Sequence, residues 1–154
     1  MKVTTLCLIA ACATVIALAN DEAKDLPDGA GKDLVAKVCI DCHTSGTFRK
    51  MRLNEEEWAD KVGDMVDRGA KADDKQQAAI VAYLVSNFGK GAKVNINTAP
   101  HSELMVVLGF TADESKALVA YRGEHGALKD WSELAKVSGL DAKKMEAQKE
   151  KMAF

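Results

Sequence analysis

Beyond an apolar run at residues 3–18, hydrophobic positions recur at helical spacing along most of the chain. Leu34, Val35 and Val38 mark a short amphipathic helix over residues 31–39. Trp58, Val62, Met65 and Val66 fall at i, i+4, i+7 and i+8, one face of a helix that follows Asn54 and runs to about Arg68. Asn54 suits its N-cap, and Glu57 stands at the third helical position, where it completes a capping box. The acids at 55–57 favour the positive end of the helix dipole. Gly69 stops that helix. Asp73 or Asp74 caps a third, with Ile80, Tyr83, Leu84 and Phe88 on one face and Gly89 at its end. The polar stretch around Ser45-Gly46 and the charged run Arg49-Lys50-Met51-Arg52 read as loop.

Past a small polar segment at residues 90–93, read as a linker, the pattern repeats with an offset of 30 residues. Leu104 matches Leu134, Val107 matches Val137, Gly109 matches Gly139, Phe110 matches Leu140, Ala112 matches Ala142 and Ala117 matches Ala147. Each unit reads as helix, tight glycine turn, helix. Neither unit can bury its apolar face alone, so the two are expected to pack together. The expected class is therefore all-α, with one helical domain over 20–89 and a second over 94–154.

Residues 1–19 look like an export signal: Lys2, a short apolar run, and an Ala17-Leu18-Ala19 cleavage site. The run is short and rich in small residues for a membrane span, so no stable span is expected after cleavage; a retained signal would instead leave the chain anchored. The expected location is the periplasm. Cys7 and Cys12 leave with the signal, and of the four cysteines only Cys39 and Cys42 remain. A disulfide across two residues would close a loop of little structural value. Residues 20–92 carry 11 Lys and Arg against 14 Asp and Glu, and residues 93–154 carry 9 against 9, so neither half has the positive footprint expected of a nucleic-acid binder.

Cys39-Ile40-Asp41-Cys42-His43 spells CxxCH, the attachment signature of covalent haem c. Two thiols at this spacing can each add to one vinyl group of the same porphyrin, and the histidine that follows becomes an axial ligand of the iron. A zinc site would need about four ligands, and His101 and His125 lie far downstream without ligand-like spacing. One haem is thus expected, bound through Cys39, Cys42 and His43. Met65 is the leading candidate for the sixth ligand: it lies on the apolar face of the Trp58 helix, and its thioether is a soft, neutral donor. The alternative is a gap-filling core methionine. A domain of about 70 residues with so few large apolar side chains is marginal alone, so the haem-free form of this half is expected to fold poorly.

Residues 28–89 resemble a small class I cytochrome c domain. The likeness is carried by the glycine-containing helix before Cys39-Ile40-Asp41-Cys42-His43, the Trp58 helix with Met65 and Arg68-Gly69-Ala70, and the closing helix Tyr83-Leu84-Val85-Ser86-Asn87-Phe88-Gly89. The resemblance implies haem binding by Cys39, Cys42, His43 and Met65, although Met65 follows His43 by only 22 residues, fewer than in larger members. Residues 94–152 resemble a tandem helix-hairpin-helix domain of the exported competence DNA receptors (ComEA type). Here the pieces are Val94-Asn95-Ile96-Asn97-Thr98-Ala99, Leu108-Gly109-Phe110, Ala120-Tyr121-Arg122, Gly126, Trp131, Leu134 and Val137-Ser138-Gly139-Leu140. That resemblance implies DNA phosphate contacts at Gly109, Thr111, Gly139, Asp141, Lys143 and Lys144, with Lys116 nearby. Thr111 and Asp141 stand where the family usually has a second glycine, and both are good N-caps that would compete for the same N–H groups.

The sequence contains no phosphate-binding glycine loop with lysine, no HExxH and no GxSxG. The expected role is electron transfer between redox protein partners, without catalysis, with the helix-hairpin-helix half as a docking module. The alternative is an exported DNA-binding protein that carries a haem. An open sixth iron site would instead permit peroxide or gas chemistry.

Overall fold

The computed structural model describes Ala23 and residues 25–154; the expected export segment, with Cys7 and Cys12, lies outside the described residues. The described chain is mostly helical. Its N-terminal half holds α1 (Lys32–Cys39), α2 (Gly46–Arg49), α3 (Glu55–Asp67) and α4 (Asp74–Phe88). The C-terminal half holds β1 (Val94–Asn95), α5 (His101–Leu108), α6 (Ala112–His125), α7 (Trp131–Leu134), α8 (Ala142–Gln148), a 3-10 turn (Lys149–Lys151) and β2 (Met152–Ala153).

The caps of the long helices form as their sequences require. The Asn54 side chain accepts from the Glu57 N–H at 2.9 Å, and the Glu57 carboxylate accepts from the Asn54 N–H at 2.8 Å. Asp73 and Gln76 make the same reciprocal pair at the start of α4. α3 packs along α4, and α1 crosses α4 closely enough that a Cβ on Gly31 would lie 2.9 Å from the Ala79 carbonyl oxygen. Gly31 also has φ 98°, a second reason for glycine there. Trp58, Ile80, Tyr83, Leu84, Phe88 and Val35 are buried together, each apolar side chain of this size contributing roughly 1.5–3 kcal/mol.

One expectation for this half fails. The stretch read as loop contains α2, a single helical turn in which the Arg49 N–H reaches the Ser45 carbonyl at 3.1 Å. Phe48 and Arg49 on that turn are both buried, and their burial holds it in place. A single turn is too short to show a period in the sequence.

In the C-terminal half the two repeat units share one core, which includes Leu104, Leu108, Phe110, Leu118, Leu134 and Val137. Gly109 and Gly139 both take positive φ, 69° and 92°, as equivalent hairpin turns. The ends of the module meet: β1 pairs in parallel with β2, Val94 opposite Met152 and Asn95 opposite Ala153. This short pair was not expected in an all-α chain. The Asn97 side chain bridges to Leu128, accepting from its N–H at 2.7 Å and donating to its carbonyl at 2.8 Å. Arg122 donates to the Ile96 carbonyl at 2.7 Å. These bonds give the Val94–Asn95–Ile96–Asn97 entry sequence its structural work.

The residues read as a free linker are tied to the N-terminal half. The Lys90 N–H donates to the Leu53 carbonyl at 3.2 Å, and the Lys90 ammonium pairs with Glu57 at 2.9 Å. The halves also meet directly, α2 against α5. At that contact Glu103, from α5, is buried between Arg49 at 2.7 Å and Arg52 at 2.5 Å. Among the described residues no helix is long and apolar enough to cross a membrane.

Candidate functional site: an apolar cavity beside the CxxCH segment

α1 ends at Cys39, so the CxxCH segment leaves the helix as a turn that folds back over the end of the four-helix half. Cys39, Cys42 and His43 line one side of a cavity of about 830 Å3. Trp58, Val62, Met65 and Val66, the apolar face of α3, line it as well, with Ile80 and Leu84 from α4 and Phe48 from α2. The four residues expected to hold a haem from sequence are thus brought to one cavity. Its volume lies within the range of sites that hold a small organic ligand.

The local chemistry bears on what the cavity can accept. Burial pushes the Cys39 thiol up to about 11, so it is a neutral thiol and not the low-pKa thiolate of a redox-active CxxC pair. The His43 ring packs edge-on against Phe48, centroids 6.1 Å apart, with Nδ1 3.4 Å from the Thr44 carbonyl oxygen. The tautomer in which Nδ1 donates there leaves Nε2 with its lone pair free, as an axial ligand requires. The Trp58 indole Nε1 is buried and has no acceptor among the described residues. A buried donor of this kind calls for a partner. Lys37, Lys61, Arg68 and Lys71 also line the cavity, alongside its apolar wall. The residues present therefore fit a flat, apolar macrocycle with carboxylate substituents. Among the described residues no group of three or more His, Cys, Asp or Glu side chains could hold a bare metal ion.

The second candidate region comprises the two glycine hairpins. Thr111 caps α6, its hydroxyl accepting from the Glu114 N–H at 3.2 Å while the Glu114 carboxylate accepts from the Thr111 N–H at 2.7 Å. Asp141 caps α8, accepting from the N–H groups of Lys143 at 2.8 Å and Lys144 at 3.1 Å. Glu114 then joins the hairpins: it also accepts from the Asp141 N–H at 3.3 Å and pairs with the Lys144 ammonium at 2.5 Å. Burial raises the Glu114 pKa, but Lys144 and the N–H groups of Thr111 and Asp141 outweigh it and hold the carboxyl down to about 2. A carboxylate anion of the protein itself thus occupies the meeting point of the two hairpins. Of the residues expected near DNA phosphates, Gly109, Thr111, Gly139, Asp141 and Lys143 are exposed, while Lys144 is half-buried against Glu114.

Sequence reasoning missed Glu114 and Glu103. Each is an acid with an apolar core residue four positions on, Leu118 for Glu114 and the partly buried Val107 for Glu103. An acid within a buried helical face was the available signal. His101 is exposed, its Nδ1 2.7 Å from the Ser115 hydroxyl, and His125 is exposed at the end of α6. Trp58 is a fully buried anchor, whereas Trp131 is only half-buried, against Phe154.

Comparison with known proteins illuminates the second half. Residues 89–152 match the helix-hairpin-helix motif. The chain is 43% identical over 61 residues to ComE operon protein 1 of Bacillus subtilis, covering 40% of this chain and 30% of that protein. It is 42% identical over 57 residues to the human endonuclease/exonuclease/phosphatase family domain-containing protein 1, covering 37% of this chain and 10% of that one. An uncharacterized protein of Haemophilus influenzae is 35% identical over 79 residues, covering 51% of this chain and 66% of its own length. The chain thus spans less than a third of the first of these relatives and a tenth of the second. No solved structure matches it significantly. Together the match and the paired hairpins of α5–α6 and α7–α8 make the C-terminal half a helix-hairpin-helix module.

Proposed function

We propose that the chain is an exported monohaem c-type cytochrome that carries electrons between redox proteins, with its helix-hairpin-helix module as a docking element. The observation that carries this reading is the cavity in which CxxCH and Met65 stand together, walled by Trp58, Val62, Ile80 and Leu84. Cys39 and Cys42 would hold the group by thioether bonds, which prevent its loss during repeated docking. His43 Nε2 and the Met65 thioether would donate to its iron. The apolar wall would keep water from the iron. When bound, the haem supplies a one-electron couple. Partners would meet the protein by weak, transient contacts.

Haem staining after denaturing electrophoresis tests the attachment. Stain that remains on the wild-type polypeptide and is lost in Cys39→Ala/Cys42→Ala is the expected result; an unstained wild-type band from a host with intact maturation machinery contradicts it. Met65→Ala should abolish the weak sulfur-to-iron absorption band of the oxidised protein. An unchanged spectrum would remove Met65 from the site.

The comparisons favour a second reading, in which the chain is a DNA-binding protein of the exported competence type that carries a haem. The helix-hairpin-helix match and the likeness to ComE operon protein 1 support it directly. Exposed Lys116 and Lys143 beside the hairpins suit phosphate contact. Against it, the N–H donors at the starts of α6 and α8 are already engaged by Thr111, Glu114 and Asp141, which leaves few for a phosphate. Duplex DNA titrated into the whole protein at two salt concentrations separates the readings. Salt-sensitive binding supports a DNA receptor, and absence of binding at low salt excludes one.

A further inference from the structure

We propose that Glu103, a residue of the helix-hairpin-helix half, is a positioning residue for the haem ligand His43, so that the haem site is completed by both halves of the chain. The proposal rests on the haem reading above. Its basis is a continuous set of contacts between the two residues. Glu103 and Arg49 each have about 1% of the side chain exposed and lie 2.7 Å apart across the boundary between the halves. Each nitrogen of Arg49 has a partner there. Its Nη1 donates to the Asp25 carbonyl at 2.9 Å, its Nη2 to the Thr98 hydroxyl at 3.2 Å, and its guanidinium lies 5.3 Å from the Phe88 ring centre. Phe88 packs edge-on against Phe48 at 5.8 Å, and Phe48 packs edge-on against His43 at 6.1 Å.

Arg49 and Phe48 are neighbours on α2, the single turn that follows the CxxCH segment. A four-residue turn has little stability of its own, so its place is set by what its buried residues touch. On one side that is Phe88. On the other it is the acid from α5, which also takes the charge of Arg52, a residue held at φ 51°. The approach is close: a Cβ on Gly46 would lie 2.6 Å from the Ser102 hydroxyl, and that hydroxyl donates to the Gly46 carbonyl at 3.2 Å. Removing the Glu103 charge leaves two guanidinium groups without their buried counter-ion. The turn beneath His43 must then shift, and the field at the iron becomes more positive.

The test uses the whole protein, with Glu103→Gln, Glu103→Asp, Thr98→Val and, as a control, Lys129→Ala on an exposed site of the same half. Two readouts are taken: the haem midpoint potential and hydrogen exchange of the amides at 46–51. In Glu103→Gln the potential should rise and exchange at 46–51 should speed up at least about tenfold, as loss of a charge-assisted hydrogen bond implies. Glu103→Asp should restore most of both values. Thr98→Val, which removes only the outermost Arg49 contact, should move both in the same direction by less, and it decides the matter if Glu103→Gln does not fold. Lys129→Ala should change neither. Wild-type potential and wild-type exchange at 46–51 in both Glu103→Gln and Thr98→Val would overturn the proposal. A wild-type protein that carries no haem would sink the cytochrome reading and, with it, the role toward the iron. Exchange at 46–51 would then still report whether Glu103 holds α2.

Discussion

In the C-terminal half Leu104, Leu108, Leu118 and Leu134 meet in a core that closes on itself, whereas in the N-terminal half Trp58, Val62, Ile80 and Leu84 face a cavity of about 830 Å3. The helix-hairpin-helix half thus closes its own core, whereas the other half leaves an apolar cavity beside its core, which the haem of the proposed function would fill. The same contrast appears in the polar groups: Glu114 satisfies the hairpin N–H donors internally, while Trp58 Nε1 has no acceptor among its neighbours.

The largest expected effect comes from removing both thiols. Cys39→Ala/Cys42→Ala should leave the N-terminal half without fixed tertiary structure, its amides exchanging almost as in an unfolded chain, while the amides of α5 and α6 stay protected. Equal loss in both halves would break the contrast. Next, Leu118→Ala, at a side chain with no exposure in the closed core, should lower stability by about 2–5 kcal/mol, read from denaturant unfolding. Glu114 gives a smaller, pH-dependent effect. Its pKa is depressed in the fold, so its contribution is full above the unfolded value near 4.5 and is lost as pH falls toward about 2. Glu114→Gln should remove that acid-dependent loss between these limits, seen in melting curves taken against pH. The smallest effect is at Gly109, where a Cβ would meet nothing but φ is 69°. Gly109→Ala should cost about 1 kcal/mol through backbone strain alone.

Much of this was legible in the residues. The caps Asn54, Thr111 and Asp141 are read by local chemistry and each forms, Asn54 with the expected Glu57, while of Asp73 and Asp74 it is Asp73 that caps its helix. The 30-residue repeat placed Gly109 and Gly139 as equivalent turns, and both take positive φ. The CxxCH pattern and the helical spacing of Met65 brought four residues to one cavity. What stayed hidden depends on distant partners. Arg49 and Arg52 read as solvated loop charges because their counter-ion, Glu103, lies more than fifty residues away. α2 is too short to carry a period, and β1 and β2 are two residues each, below the length at which alternation shows. The segment at 90–93 has linker composition, yet its backbone bonds to Leu53.

The intact mass of the protein, purified from cells with haem-c maturation machinery, tests the central claim most directly. The polypeptide should be heavier by one haem, and that increment should persist through denaturation and disappear in Cys39→Ala/Cys42→Ala. A wild-type mass equal to the bare polypeptide, from cells able to mature other c-type cytochromes, would contradict the account.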